Sequence, residues 1–221
     1  MDFDFDLIDT EDYERIRELH EPLAHAVRRL IDASIHTGAD ADAEDIRRAR
    51  EAIDDVSRML EATRSGRPRT LRRAETGTPV AWANPAVGRH NPIAPVITTH
   101  HVGDRLASEF TLGPVYEGPP GLVHGGICAL LLDQLLGEVA TNQMSMPKFT
   151  GTISLRYLRG TPLGPLRAEA WVERTEGHKT YARGFLADAH GPTVEAEGVF
   201  IMPAWARDGG GERSDSGVAA G

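Results

Sequence analysis

The sequence predicts an α+β protein in which an antiparallel sheet wraps around one central helix, with a helical hairpin in front of it. Apolar residues recur at helical spacing through roughly the first quarter of the chain. One apolar helix begins near Gly125, and the residues after Phe149 alternate in strand fashion with turn signals between the runs. A single apolar helix among about five or six strands is best buried by a sheet that curls around it.

Residues 1–65 are predicted to form the helical hairpin. The first helix is interrupted by Pro22, which predicts a break or kink near Glu21 and a new helix beginning at the proline. In the second helix apolar residues follow helical spacing at Ile46, Ala49, Ile53, Val56 and Leu60. Asp42 is the expected N-cap of that helix. Each helix has one apolar stripe and cannot form its own core, so the hairpin should pack on the rest of the protein or on another subunit.

Residues 66–87 are predicted to be a linker. They overlap an arginine-rich stretch from Arg64 to Arg73 that holds five arginines and has no helical or strand period. Two interpretations are open for this stretch: a solvated connection, or a strap that contacts phosphate groups.

Residues 88–204 are predicted to hold the sheet and its central helix. Gly103 and Asp104 mark a hairpin turn between two strands, 96–102 and 106–112. Four further strands are predicted after the helix, at 149–158, 166–174, 180–188 and 194–202. Residues 205–221 lack apolar anchors and are predicted to be disordered.

Composition excludes several classes of function. The chain has 221 residues, 40% of them hydrophobic, and a net charge of −9, which argues against binding to nucleic acid or to an anionic membrane. No apolar run reaches the roughly 18 to 20 residues that span a bilayer, and the acidic N-terminus is unlike a targeting peptide, so we expect a cytoplasmic protein.

The single cysteine, Cys128, is expected in the core. His100 and His101 are neighbours on a strand and point to opposite faces, so no metal site is expected.

The helix that begins at Gly125 is the candidate site. Gly125 and Gly126 follow His124, and two glycines at a helix start leave unpaired N–H groups that can receive a developing oxyanion. Asp133 places a carboxylate in the same apolar helix, where it can act as a base or be tied into the fold by hydrogen bonds. His124 can orient a substrate or hold the turn through a hydrogen bond to the backbone.

The spacing within this helix predicts a shared site. Asp133 lies roughly 10 to 12 Å along the axis from the glycine amides, too far for both to act on one carbonyl. If both are catalytic, a two-fold dimer must place the glycines of one subunit opposite Asp133 of the other.

The segment from His124 to Asp133, followed by the strand from Thr152 to Arg159, resembles the hotdog-fold acyl-CoA thioesterases of the PaaI type. The lead-in from Tyr116 to Gly121 is similar to the branch that contains the long-chain acyl-CoA thioesterases. The resemblance covers residues 88 to 203 and implies that the predicted sheet and helix form a hotdog fold. One position departs from the pattern: many PaaI-type enzymes carry an asparagine where this chain has Gly118.

The resemblance also implies roles for individual residues. It makes Asp133 the general base or nucleophile, Gly125 the donor that polarises the thioester, and Thr150 a catalytic threonine that positions water. The turn at His178 and Lys179 resembles one that reaches the phosphates of CoA, and Arg159 could add positive charge there.

The expected function is therefore hydrolysis of acyl-CoA thioesters, as in fatty acid metabolism, by a homodimer or a dimer of dimers that needs no cofactor. Two alternatives belong to other classes. The same fold can bind acyl-CoA as a sensor or carrier without turnover, and hotdog hydratases act on enoyl-CoA, although they use different motifs.

Overall fold

The computed structural model describes residues 6–64, 71–77, 79–141 and 147–207. It has the predicted fold class: a six-stranded antiparallel sheet, one central helix and two N-terminal helices. The helices are α1 (Thr10–Ile35), α2 (Ala43–Glu61) and α3 (Gly125–Ala140). The strands are β1 (Asp6–Ile8), β2 (Leu71–Arg73), β3 (Pro79–Val80), β4 (His100–Val102), β5 (Arg105–Leu112), β6 (Phe149–Tyr157), β7 (Gly164–Glu176), β8 (Lys179–Asp188) and β9 (Gly191–Ile201).

The chain divides into two compact units. The first comprises residues 1–98, 109–127 and 162–166, and the second comprises residues 99–108, 128–161 and 167–221. None of the helices in the described part of the chain combines the length and the apolar character needed to cross a membrane.

In the first unit, α1 is one continuous helix, so the prediction that a new helix begins at Pro22 is wrong. Pro22 lies inside α1, and its missing N–H leaves the carbonyl of Glu18 without its usual donor. Glu18 is exposed, so water can satisfy that carbonyl and the helix continues. Asp9 caps the start of α1 by accepting a hydrogen bond from the N–H of Asp12.

The α1 helix packs on the segment that follows β3 through stacked rings. Tyr13 stacks on Trp82, Trp82 on His90, and His90 on His20. Burial of His90, with a smaller effect from His20, lowers the pKa of His90 to about 4, so its ring is neutral at pH 7 and can stack without a desolvated charge.

Part of the predicted linker is a strand. Residues 71–73 form β2, which pairs in parallel with β1 and antiparallel with β3. The Arg73 guanidinium donates to Thr10 Oγ1 and lies 4.8 Å from the centre of the Tyr13 ring. This arginine is therefore engaged with the N-terminal segment of its own chain, whereas residues 65–70 of the arginine-rich stretch lie outside the described residues.

The α2 helix has the predicted N-cap, because Asp42 accepts from the N–H groups of Glu44 and Asp45. None of its residues is buried by the part of the chain that the structure describes. In α1 only Ala24 is buried, whereas Leu19 and Leu30 are exposed, so the described residues cover α1 in part and leave α2 uncovered.

In the second unit, residues 128–140 of α3 lie closely against the central strands β8 and β9. The strand order of the sheet is β4-β5-β7-β8-β9-β6. Glycines on the central strands allow the close approach: a Cβ on Gly184 would lie 2.9 Å from Leu136 Cδ1, and one on Gly198 would lie 3.1 Å from Leu136 Cδ2. The core between the helix and the sheet includes Leu131, Leu132, Leu135 and Leu136 of α3 and Leu186, Val194 and Phe200 of the strands, each at most 1% exposed.

The predicted strands match the observed ones within a few residues, with one exception. The strand predicted from Val96 begins only at His100. Val96 adopts a positive φ of 56°, which a β-branched residue rarely accepts and which breaks the extended chain. Of the predicted disordered tail, Trp205 and Ala206 instead belong to a short 3₁₀ helix (Ala204–Ala206), and residues from 208 onward lie outside the described part.

Candidate active site

The turn before α3 is held by hydrogen bonds that fix His124. The N–H of His124 donates to the carbonyl of Tyr116 at 2.9 Å, and Glu117 forms a bridge with Val123. The Glu117 carboxylate also accepts from the N–H of Gly121, which has a φ of 76°. Residues 116–121, the Tyr-Glu-Gly-Pro-Pro-Gly segment, therefore form a hydrogen-bonded loop that leads into the start of α3.

Gly118 packs directly on His124. A Cβ added to Gly118 would lie 2.8 Å from His124 Cα, closer than real Cβ contacts. This contact explains why no asparagine can stand at this position without moving His124. Gly118 is thus a site-shaping residue whose role the sequence did not reveal, because the contact depends on how the loop folds back.

His124 caps the start of α3 through its ring. Its Nδ1 accepts a hydrogen bond from the N–H of Gly126 at 3.0 Å, which is the second of the two uses predicted for this histidine. The expectation that the Gly126 N–H is unpaired is therefore wrong for this structure. A backbone N–H can only donate, so Nδ1 carries no proton here, and a neutral ring has its proton on Nε2.

Asp133 and Thr150 meet across the space between α3 and β6. Thr150 Oγ1 donates to Asp133 Oδ1 at 2.9 Å, so two residues separated by 17 positions in sequence form one pair. Asp133 is half-buried, and Thr150 is exposed.

A bulge at Gly151 gives Thr150 its direction. Thr150 pairs with Phe200 of β9, whereas Thr152 pairs with Val199, so Gly151 is an extra residue in β6. Phe200 lies under α3, with its ring 3.4 Å from the Cβ position of Gly137, and cross-strand partners share a face of the sheet. The bulge therefore puts Thr150 on the face toward the helix.

Cys128 is a core residue, as expected. It is 1% exposed, and its Sγ lies 3.7 Å from Thr161 Oγ1. Burial raises the pKa of this thiol, which makes the reactive thiolate scarcer.

The three residues predicted to bind CoA differ in their surroundings. His178 and Lys179 are exposed at the tight turn between β7 and β8. Arg159 forms a two-pronged ion pair with Asp188, at 2.7 Å and 2.5 Å, and also donates to the carbonyl of Gly191. The CoA-binding role of Arg159 stays a prediction, and these contacts count against it.

The Arg159–Asp188 pair predicts acid sensitivity. The Arg159 guanidinium holds the pKa of the Asp188 carboxyl well below its usual range. A lowered folded-state pKa stabilises the fold above the unfolded value of about 4 and loses this contribution as pH falls toward the folded value. Urea titrations between about pH 5 and pH 2 should therefore show a smaller acid-induced loss of unfolding free energy for Arg159→Met than for wild type.

The matched control is Arg156→Met, which breaks the more exposed Arg156–Glu195 pair. It should keep the wild-type pH slope, and an Arg159→Met variant with that same slope would contradict the prediction. The same variant tests the predicted CoA role, which requires a raised KM for the substrate.

Within residues 6–64, 71–77, 79–141 and 147–207, no three histidine, cysteine or carboxylate side chains are grouped as metal ligands would be. His100 and His101 are both exposed on β4.

Comparison with known proteins gives consistent matches. Residues 120–195 match the model of the Thioesterase superfamily. Acyl-coenzyme A thioesterase THEM4 of Xenopus laevis is 33% identical over 78 residues, which are 35% of this chain and 35% of that protein. Acyl-coenzyme A thioesterase THEM5 of Mus musculus is 30% identical over 110 residues, which are 48% of this chain and 44% of that protein. The matched region thus spans less than half of these curated relatives.

A solved structure matches over a larger part of the chain. The crystal structure of a thioesterase superfamily protein superimposes with a TM-score of 0.72 at 31% sequence identity. The match covers 82% of this chain and 89% of that one, so it extends beyond the region that the curated relatives share.

Proposed function

Because the chain belongs to the thioesterase superfamily, we propose that it hydrolyses acyl-CoA thioesters to a free carboxylic acid and CoA. The observation that carries the proposal is the hydrogen bond that Thr150 donates to Asp133. It forms a carboxylate–hydroxyl pair whose carboxylate belongs to the helix that begins with two glycines. The substrate class is taken from relatives that are named acyl-coenzyme A thioesterases.

Asp133 supplies the reacting carboxylate in this proposal. As a general base it takes a proton from water while the water oxygen attacks the thioester carbonyl; the C–S bond then breaks, and the CoA sulfur leaves and gains a proton. As a nucleophile it attacks the thioester carbonyl carbon, the C–S bond breaks and CoA leaves, and water then opens the resulting mixed anhydride to release the acid and restore the carboxylate. Because the Thr150 hydroxyl donates to Asp133, its oxygen is left as an acceptor that can orient the water in either route.

The start of α3 receives the thioester carbonyl. The N–H of Gly125 lies at the positive end of the helix dipole and polarises the carbonyl oxygen there. The N–H of Gly126 can join it only after leaving His124 Nδ1. In its present tautomer the His124 ring offers its Nε2–H as a further donor.

The active site is shared between two subunits in this proposal. Along one straight helix, Asp133 lies about 12 Å from the Gly125 amide, so one carbonyl cannot reach both within one chain. Support comes from Leu130, about one helical turn before Asp133, which is only half-buried in a single chain. A two-fold homodimer would cover this side chain and bring the glycines of one copy opposite Asp133 of the other.

For the CoA moiety, Lys179 and His178 are the favoured contacts, because both are exposed at one turn. Lys179 supplies positive charge for a phosphate group, and the turn conformation is fixed by Gly177, which has a φ of 55°. Arg159 would first have to leave Asp188.

The direct test is turnover. Purified protein should release CoA thiol, measured with a thiol reagent, from at least one member of a panel of short-, medium- and long-chain and aromatic acyl-CoAs. The competing function is binding of acyl-CoA without turnover, and it is favoured by the engagement of the Gly126 N–H with His124. Tight binding by calorimetry with no thiol release across the panel would replace hydrolysis by this function.

A further inference from the structure

Lys148 ties the end of α3 to the sheet. Its ammonium donates to the carbonyl of Ala140 at 2.7 Å and to Thr180 Oγ1 at 2.7 Å. The side chain is half-buried, and this burial lowers the pKa of Lys148. Partial desolvation of an ammonium costs free energy, and the two hydrogen bonds of Lys148 offset part of that cost.

One anchor of Lys148 lies on α3, which carries Asp133, and the other lies on β8, which β9 separates from the strand that carries Thr150. Ala140 is the last residue of α3, about two helical turns after Asp133. Thr180 is 1% exposed on β8 and lies in register with Phe200, which in turn lies in register with Thr150. Lys148 itself precedes Thr150 by only two residues.

The charge of Lys148 suits its place. The last carbonyls of a helix lack intrahelical donors and lie at the negative end of the dipole, so a cation there satisfies both needs. An apolar side chain of similar length would leave the carbonyl of Ala140 and the buried hydroxyl of Thr180 each without this partner.

From this geometry we infer that Lys148 is a positioning residue that holds Thr150 at hydrogen-bond distance from Asp133. It acts through Thr150 and does not touch the substrate. The inference rests on the hydrolysis proposed above and adds to it a residue that the sequence motif does not indicate.

The test is Lys148→Met, which keeps the length of the side chain and removes its donors. We expect kcat to fall about tenfold to a hundredfold, the scale of a misplaced catalytic group, with KM within about twofold of wild type. Arg156→Met is the control, because it removes a cation from the exposed side of β6 in the same way and should leave kcat unchanged.

A double-mutant cycle separates positioning from general loss of structure. In a Thr150→Val background the effect of Lys148→Met on kcat should disappear, because the group that it positions is gone. Thr180→Val removes one anchor and should give a smaller fall of the same kind. An equal fall in both backgrounds, or a Lys148→Met enzyme with wild-type kcat, would overturn the inference.

A crystal structure of Lys148→Met provides a readout that does not depend on turnover. We expect the Thr150 Oγ1 to Asp133 Oδ1 distance to exceed hydrogen-bond range, against 2.9 Å in the wild type. An unchanged distance would reject the positioning role whether or not the protein hydrolyses acyl-CoA. If the wild type hydrolyses none of the panel and the distance still lengthens, the proposed function fails while the positioning of Thr150 stands.

Discussion

Asp133→Asn should lower kcat for acyl-CoA hydrolysis by about a hundredfold or more, the range for loss of a general base. The substitution is nearly isosteric, and the amide oxygen can still accept the hydrogen bond that Thr150 donates to Asp133. What disappears is the negative charge that takes the proton or attacks the carbonyl. Steady-state kinetics with the best substrate of the panel measure the effect, and an unchanged melting temperature shows that the fold is intact.

The matched control is Glu138→Gln on the same helix. Glu138 accepts a hydrogen bond from Thr99, and glutamine can keep that bond through its own carbonyl oxygen. This variant should retain wild-type turnover. An Asp133→Asn enzyme with near wild-type kcat would remove Asp133 from the mechanism and, with it, the main support for hydrolysis at this site.

Two inactive variants should restore activity when they form one dimer. Gly125→Pro removes a single N–H at the first position of α3, where proline is well tolerated, and Asp133→Asn removes the carboxylate. In a heterodimer one of the two shared sites has an intact glycine and an intact Asp133. Heterodimers purified through two different affinity tags should therefore show about half of the wild-type turnover per dimer.

The observed pairing supplies a matched control for this experiment. Asp133 and Thr150 belong to the same chain, so a heterodimer of Asp133→Asn with Thr150→Val has a defect in each of its sites. It should show no recovery. Recovery in this control, or none in the first heterodimer, would contradict a site that is divided between the start of one α3 helix and Asp133 of the other.

Secondary structure followed from the sequence wherever local chemistry decides it. The period of apolar residues and the cap at Asp42 were enough for α2, and glycine-marked turns were enough for the four strands after α3. Pro22 shows where local rules stop: the cost of a lost hydrogen bond is smaller when water can replace it, and exposure is a property of the folded chain.

The sequence was enough to identify candidate residues of the site but not the contacts that these residues make. Asp133 and Thr150 were candidates, yet their contact depends on the packing of α3 on β6. The capping of Gly126 by His124 and the contact of Gly118 with His124 depend on a loop that folds back on itself. Arg159 could be identified as a cation, but Asp188, which lies 29 positions away, faces it only after the strands align.

The extra residue in β6 decides which side chain of the strand lies opposite Asp133. Side chains of a strand alternate between two faces, and Gly151 shifts that alternation by one. If Gly151 were instead paired as an ordinary residue while the pairing of the later residues stayed fixed, Gly151 would lie opposite Phe200, and Thr150 would move to the opposite face of the sheet, away from Asp133. In this strand a change of pairing is therefore a change of reactive group, although the sequence would be the same.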